Sequence, residues 1–515
     1  MPIKHPDLKL NRLSDALPAW SGEIAPEALP DICTQVRDGG GRLVSLWGSD
    51  ARQEGGGFML HVTLMNESGL VCLNVRLPAE HPAYPDISHI FLAAERMQRA
   101  TYDLLGLYPQ GGHDHRKWLR HGAWHSGSFP LRKDFDAAAS LTREADNYPF
   151  VRVEGQGVHE IPVGPVHAGI IEPGHFRFSI IGERVLRLEE RFGYVHKGIE
   201  KRFERMSLQQ GAKLAGRVSG DSTVAYAWAY AMAAESIAGV TPPGRALWLR
   251  ALLLERERVA NHLGDLGYLG NDVALSFGFA QFWILKEQVL RNNAALFGHR
   301  YLMDKIVPGG VSVNLDAEGK RVIEQECAML EREVRLLRSI YDEHSGVQDR
   351  FIATGRVEPK LAAQLGLCGM AGRASAQAWD ARVQFAAAPY DKLDVRIATH
   401  RNGDVAARVI VRFDELFESL RLQREIMDRL LGEDLARPLP TLPGNGFGIG
   451  LVEGWRGEVL VAIHTGAEGQ LSRVHPHDPS WQNWPALEHA ILDNIVPDFP
   501  LINKSFNLSY SGQDL

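Results

Sequence analysis

The stretch from Gly193 to Leu269 constrains the fold of this chain more than any other. It opens with Gly193-Tyr194-Val195-His196-Lys197-Gly198-Ile199-Glu200-Lys201 and passes through Arg217-Val218-Ser219-Gly220-Asp221-Ser222. It then runs through alanine, tyrosine, tryptophan and methionine and closes on Leu252-Leu253-Leu254-Glu255-Arg256-Glu257-Arg258-Val259-Ala260-Asn261-His262-Leu263. Both apolar runs read as helices, because Pro242 and Pro243 suit a helix N-terminus and no proline interrupts the residues beyond them. Glu255, Arg258, Val259 and His262 recur at spacings of three and four, which lays an ionic stripe beside an apolar one. The flanking runs Ala229 to Ala234 and Leu252 to Leu254 favour burial of that stripe over a solvated face, and buried charge requires partners.

A chain of 515 residues exceeds one ordinary domain, and roughly two to four are expected. Hydrophobic residues at 45% and charged ones at 23% describe a globular protein. A net charge of -7 gives no reason to expect nucleic acid as a partner. The first twenty residues are polar and contain proline, with no apolar signal core, and no uncharged apolar run approaches the ~20 residues of a membrane helix. The expectation is a cytosolic protein that reaches a membrane only through partners. Cys33, Cys72, Cys327 and Cys368 are scattered, with no Cys-x-x-Cys pair, as reduced structural thiols would be.

Residues 1–38 read as a mixed N-terminal extension. Arg42 to Trp47, Phe58 to Leu64 and Val71 to Leu77 have strand character, and Ala93 to Leu105 follows as a helix. Residues 39–135 are therefore an α+β domain. His113, His115, His121 and His125 cluster without the ligand pairing of a zinc site. The charged, alanine-rich residues 136–150 suit a linker, and residues 151–515 form a second, mainly α-helical domain with small β-hairpins. One hairpin pairs Phe176 to Ile181 with Arg184 to Leu188. Helical periodicity dominates from Arg202 to Val347 and returns from Gly403 to Leu431, where Arg and Glu are placed on the outer face. Gly444-Asn445-Gly446-Phe447-Gly448-Ile449-Gly450 lacks the strand–turn–helix setting of a dinucleotide loop and reads as a flexible turn feeding a strand from Glu458 to His464.

The central stretch, with Val307-Pro308-Gly309-Gly310-Val311, Gly372-Arg373-Ala374-Ser375 and Trp379-Asp380-Ala381-Arg382, resembles the large subunit of membrane-bound [NiFe] hydrogenases of the formate-hydrogenlyase and hydrogenase-4 type. It equally resembles the related D subunit of respiratory complex I. Tyr102-Asp103-Leu104-Leu105-Gly106-Leu107 and Pro130-Leu131-Arg132-Lys133-Asp134-Phe135 resemble the C subunit of complex I, and a fused C–D order matches the hydrogenase-4 and formate-hydrogenlyase subunits. The resemblance makes the histidine segment a docking loop. It also implies two Cys-x-x-Cys metal-binding pairs, whose positions here are Ser219 and Ser222, then Ser509 and Gly512. Nickel and iron of this soft type need thiolates, so no metal is expected.

The resemblance further implies a vacated cavity between the Glu172-Pro173-Gly174-His175 hairpin and the Arg217 to Ser222 segment. His175, Asp380 and Glu172 are the candidate proton-transfer groups. Arg217, Asp221, Arg373 and Arg382 are candidates for holding a substrate such as quinone. The quinone-site tyrosine of the D subunit corresponds to Gly220, and that group is missing. No cofactor is expected to be held tightly by the chain. The Fe–S cluster belongs to a partner Fe–S small subunit, and NAD(H) enters only as a substrate of the whole complex. Antiporter-like membrane subunits complete the expected assembly, with the chain peripheral on the cytoplasmic side of the cell membrane. The alternatives are a catalytically silent scaffold of such a complex and a hydrogenase with an unusual metal site. A network of Arg, Asp, Glu and His can also be purely structural.

Overall fold

Alternating apolar residues build a five-stranded sheet in the N-terminal unit. Arg42–Asp50, Phe58–Asn66 and Gly69–Leu77 pair antiparallel in sequence. Ala19–Ile24 joins Gly69–Leu77 in parallel, and Asn11–Ser14 pairs antiparallel with Ala19–Ile24 at the edge. Helices Leu29–Asp38 and Ala94–Leu105 pack on this sheet. The computed structural model describes residues 3, 5, 6, 8–14, 16–136, 138, 141–204 and 206–515. Residues 1–38 were expected as an extension, but their described part supplies two strands and a helix to the sheet. Ile24, Leu29, Ile32 and Val36 are buried there, and a sheet that would otherwise end at Gly69–Leu77 gains a covered edge. Of the linker 136–150, residues 137, 139 and 140 lie outside the described residues. The rest is irregular and tied down by Lys117–Glu144 and Arg191–Asp146 ion pairs at 3.0 and 2.7 Å.

The second unit opens with a three-stranded antiparallel sheet. The expected hairpin, His175–Ile181 with Arg184–Arg191, is joined at its edge by Val158–Val163. The edge position accommodates Pro162. Helices Thr223–Ala238, Gly244–Asp272, Ser276–Phe297, Ala317–Glu343 and Val405–Asp428 form the body. Among the described residues no helix is long and apolar enough to cross a membrane. Helix Gly244–Asp272 buries Glu255, Arg258 and His262 completely or nearly so, as the stripe required. Helix Val405–Asp428 departs from expectation, because Arg408, Arg412, Glu415 and Glu418 face inward.

The glycine run near residue 447 also departs from its reading as a flexible turn. Phe447–Glu453 is a strand, followed by Glu458–Thr465 and Leu471–His477 in a meander. Helix Thr223–Ala238 lies against it so closely that a Cβ at Gly448 or Gly450 would sit 2.4 or 1.9 Å from the carbonyl oxygens of Ala233 or Ala229. The glycines make a helix-on-strand seam.

This second sheet also closes the joint between the units. The His475 imidazole stacks on Trp47 at 4.7 Å and bridges Ser45 Oγ and Glu200 Oε1 at 2.9 and 2.7 Å. On the other side of the joint the His61 ring lies tilted against His464 at 4.6 Å, and Arg42 pairs with Glu458. Burial pushes His61 and His477 down to about 3 and lowers His464 and His475 as well. A histidine whose folded pKa lies below its unfolded value stabilises above about pH 6.5, and that contribution is lost as pH falls toward the folded value. The denaturant midpoint should therefore drop between about pH 7 and about pH 4. His464→Phe keeps a ring in the stack and removes Nε2, which has no hydrogen-bond partner, so it should flatten that slope. Equal slopes for wild type and variant would refute the assignment.

Candidate functional site

The segments expected to have lost their thiolates meet in the core. Ser219 Oγ and Ser509 Oγ lie 2.9 Å apart, although 290 residues separate them. Ser219 donates to Asp221 Oδ1 at 2.8 Å, and Ser509 Oγ accepts from Gly512 N–H at 2.9 Å. Ser480 Oγ accepts from Ser509 N–H at 2.8 Å. The fourth position holds no side chain. A Cβ at Gly512 would meet Asp478 Oδ2 at 2.3 Å, and that oxygen already accepts from the Tyr226 hydroxyl at 2.7 Å. Hydroxyls paired with each other and a carboxylate over Gly512 do not fit a soft nickel–iron centre, which takes thiolates.

Arg456 grips Asp221 with two parallel bonds of 2.8 and 2.6 Å and stacks on Trp455. Burial opposes the Asp221 charge, but Arg456 outweighs it and holds the carboxyl at about 2. Asn261 and Trp455 both donate to the Asp221 carbonyl, at 2.8 and 2.9 Å. On the outer side, Glu172 Oε2 accepts from Ser511 N–H at 3.0 Å. Ser511 Oγ stands 3.4 Å from Ser509 Oγ. A line of polar groups thus runs from exposed Glu172 to buried Arg456.

Across helix Gly244–Asp272 lies a second, fully buried cluster. Arg382 binds Asp380 through two bonds of 3.0 and 2.7 Å and reaches Glu255 at 3.0 Å. Arg373 binds Glu415 and Glu453 at 2.8 and 2.7 Å. Arg258 bonds Glu415 at 3.2 Å and the Glu453 carbonyl at 2.8 Å.

Family models match both units: the respiratory-chain NADH dehydrogenase 30 Kd subunit over residues 23–140 and the 49 Kd subunit over residues 272–439. Formate hydrogenlyase subunit 5 of Escherichia coli (strain K12) is 31% identical over 483 residues, spanning 92% of this chain and 85% of that protein. The chain belongs to this family of fused 30-kDa and 49-kDa subunits. Hydrogenase-4 component G of the same organism is 30% identical over 94% of this chain and 86% of its own length. The C/D subunit of the NADH-quinone oxidoreductase of Phocaeicola vulgatus is 27% identical over 86% of this chain and 89% of its own length. The structure of an archaeal membrane-bound sulfane sulfur reductase shares the fold at a TM-score of 0.66 and 24% identity, covering 70% of this chain and 99% of that one.

Within this family frame, the expected site residues divide into four places. Glu172 and Asp221 lie along the Ser219–Ser509 contact. Asp380, Arg373 and Arg382 lie behind the long helix in the second cluster. Arg217 lies in neither, because it pairs side-on with Asp304 at 2.6 and 2.8 Å on an open flank, with 42% of its side chain exposed. A pair so exposed contributes at most about 1 kcal/mol. His175 starts its strand opposite Arg191 and packs on Phe150 at 5.2 Å. Its Nε2 is buried without a partner, and burial, followed by Arg177, lowers its pKa. The hairpin thus holds His175 apart from the ion pairs that bind Asp380 to Arg382 and Arg373.

Sequence reasoning missed Arg456, Glu453, Asp478 and Glu415. Glu453-Gly454-Trp455-Arg456-Gly457-Glu458 carried a signal, since three charged residues in a tight turn between two apolar strands have no solvated face to occupy.

Purified protein should contain far less than one nickel per chain, and stoichiometric nickel by elemental analysis would contradict this. Gly512→Cys should lose about 1–3 kcal/mol in denaturant unfolding, because its Cβ must displace Asp478. The tail that carries Ser509 should be tightly held, because Phe506, Leu508, Tyr510 and Leu515 are all buried and Arg408 stacks on Phe506 at 4.0 Å. Phe506→Ala should cost about 3–5 kcal/mol, and an unchanged melting temperature would show that the tail is free.

Proposed function

We propose that this chain is the peripheral-arm subunit of a membrane-bound complex I-like oxidoreductase, supporting proton-coupled electron transfer to quinone without a nickel–iron centre. The assembly this implies is an Fe–S small subunit holding the cluster and antiporter-like membrane subunits that move ions. The chain sits on the cytoplasmic side of the membrane, and NAD(H) is a substrate of the whole complex only. The observation that carries the reading is the polar line from Glu172 through Ser511, Ser509 and Ser219 to Asp221 and Arg456. The Ser511, Ser509 and Ser219 hydroxyls along it can each accept and donate a proton, and Glu172 joins the line through the Ser511 main-chain N–H. The Arg456 guanidinium beside them is a fixed positive charge of the kind that stabilises a developing anion such as a quinol oxygen. His175 adds an unpartnered ring nitrogen on the hairpin, and its lowered pKa favours the neutral, proton-accepting form.

The second reading is a catalytically silent coupling scaffold. It is favoured by the bidentate Asp221–Arg456 and Asp380–Arg382 pairs, which satisfy these charges internally. Turnover separates the two. Glu172→Gln, Asp221→Asn and His175→Ala should each be made in the assembled complex, with quinone reduction and ion transport measured and assembly verified. The first reading expects a loss of roughly a hundredfold or more for Glu172→Gln and His175→Ala, the usual worth of a positioned proton-transfer group, and a comparable loss for Asp221→Asn because it leaves Arg456 without its carboxylate. Wild-type rates in complexes that assemble would make the scaffold reading the correct one.

A further inference from the structure

The cluster behind helix Gly244–Asp272 does not balance its charges. Arg258, Arg373 and Arg382 stand against Glu255, Asp380, Glu415 and Glu453, and all are at most 4% exposed. Full ionisation leaves one negative charge uncompensated in a dry volume, which is costly. Of the flanking charges, Arg42 pairs with Glu458, and Asp265 takes Arg412 on one oxygen and Lys504, at 3.5 Å, on the other, with burial lowering the pKa of that lysine; none of these cations forms an ion pair with the cluster's four carboxylates. A bound proton restores the balance.

Hydrogen bonding decides where it resides. Glu255 accepts from Arg382, Tyr390 and Ser419 at 3.0, 2.6 and 2.6 Å. Glu415 accepts from Arg373, Arg258 and His262 at 2.8, 3.2 and 3.1 Å. Asp380 has both Arg382 bonds and the Arg382 N–H at 3.0 Å. Glu453 has one guanidinium nitrogen, Arg373 Nη1 at 2.7 Å, and the Ala381 N–H at 3.1 Å. It shares that nitrogen with Asp380, which stands 3.6 Å from it, so two carboxylates compete for one charge. His262 is the other group that could take the proton. Its Nδ1 has no acceptor, and burial lowers its pKa, opposed by the hydrogen bond and charge of Glu415, with Arg258 and Arg412 adding to the lowering.

We propose that Glu453 is a proton-storing residue that balances this cluster as a neutral carboxylic acid and ionises when the surrounding charge changes. Burial first and Asp380 second push its carboxyl up to about 7, with Glu458 adding and Arg373 opposing. The connection to the Ser219–Ser509 site is short. Trp455 donates to the Asp221 carbonyl, Arg456 grips the Asp221 carboxylate, and Arg258 donates to the Glu453 carbonyl. A change of charge beside the Asp221–Arg456 pair is therefore transmitted along one tight turn. The inference deepens the proton-coupled reading and rests on it only for what triggers release.

The test is infrared difference spectroscopy on the resting full-length chain between about pH 6 and about pH 8, with proton uptake measured in parallel. Glu257, which burial pushes up to about 8, and Asp514, which burial pushes up to about 7, ionise in the same range, so the readout is the difference between the two proteins: Glu453→Gln should lack one protonated-carboxyl band of the wild type and release about one proton fewer per chain. Asp380→Asn removes the competing charge and should raise Glu453's acidity at least about tenfold, moving the same band to lower pH. Stability gives a second readout. A carboxyl raised above its unfolded value loses stability as pH rises from about 4.5 through about 7, so Glu453→Gln should gain melting temperature on wild type at high pH. Spectra and proton release that Glu453→Gln leaves identical to wild type, or a Glu453 band that Asp380→Asn leaves in place, overturn the proposal. Because no turnover is involved, that failure would leave the Glu172 and Asp221 rate test undecided and separate.

Discussion

Helix Gly244–Asp272 buries charge on opposite faces, and the segments that close the core do so by pairing with it. Arg250 takes Glu235 from helix Thr223–Ala238, and Arg256 takes Glu326 from helix Ala317–Glu343. Arg258 and His262 take Glu415, and Asp265 takes Arg412 and Asn507. Glu257 accepts from the first backbone N–H groups of helix Thr223–Ala238, Val224 and Ala225, at 2.7 and 3.2 Å. Removing one partner from such a pair leaves an uncompensated charge, which costs about 3–5 kcal/mol. These contacts bear on register as well as stability, because each buried charge is met by partners from particular elements in particular orientations.

That register places the tail. Asn507 is held by Asp265 and by Arg456, whose Nε donates to its carbonyl at 2.5 Å. Asn507 adopts a left-handed conformation, φ 47°, which ends helix Phe499–Phe506 and turns Ser509 toward Ser219. Beyond it, Val195 donates to Asp514, and Lys197 and Ile199 donate to the Leu515 carbonyl. The opening motif of the central stretch thus receives the last residues of the chain. The polar line and the closed tail are one construction.

Much of this architecture was legible in the sequence because its elements keep a clean period. The strands of the first sheet, the helix Ala94–Leu105, the hairpin at His175 and the buried stripe of Glu255, Arg258 and His262 all follow from spacing. The answering charges were not legible. Arg408, Arg412 and Glu415 recur at the spacing of a solvated helical face, and nothing local distinguishes a face turned to water from one turned to another helix's charges. Arg217 misled for the converse reason: it adjoins Ser219 in sequence, but the turn that buries Ser219 sends Arg217 outward. The glycines near residue 447 looked like a mobile turn because their purpose, the approach of a helix backbone, lies more than two hundred residues away.

The serines explain how such a site can close without a metal. Four thiolates brought together in a dry core repel one another unless a cation neutralises them. Neutral hydroxyls carry no such cost, and each both donates and accepts. Ser219 and Ser509 satisfy each other, Asp221 takes the Ser219 proton donor, and Arg456 compensates Asp221. Asp478 fills the volume over Gly512 and anchors Tyr226. The contact is therefore a self-contained polar closure that holds the tail. A contact closed by neutral hydroxyls and the Asp221–Arg456 pair leaves the proton response of this region to buried carboxyls raised toward neutral pH, Glu453 and Glu257.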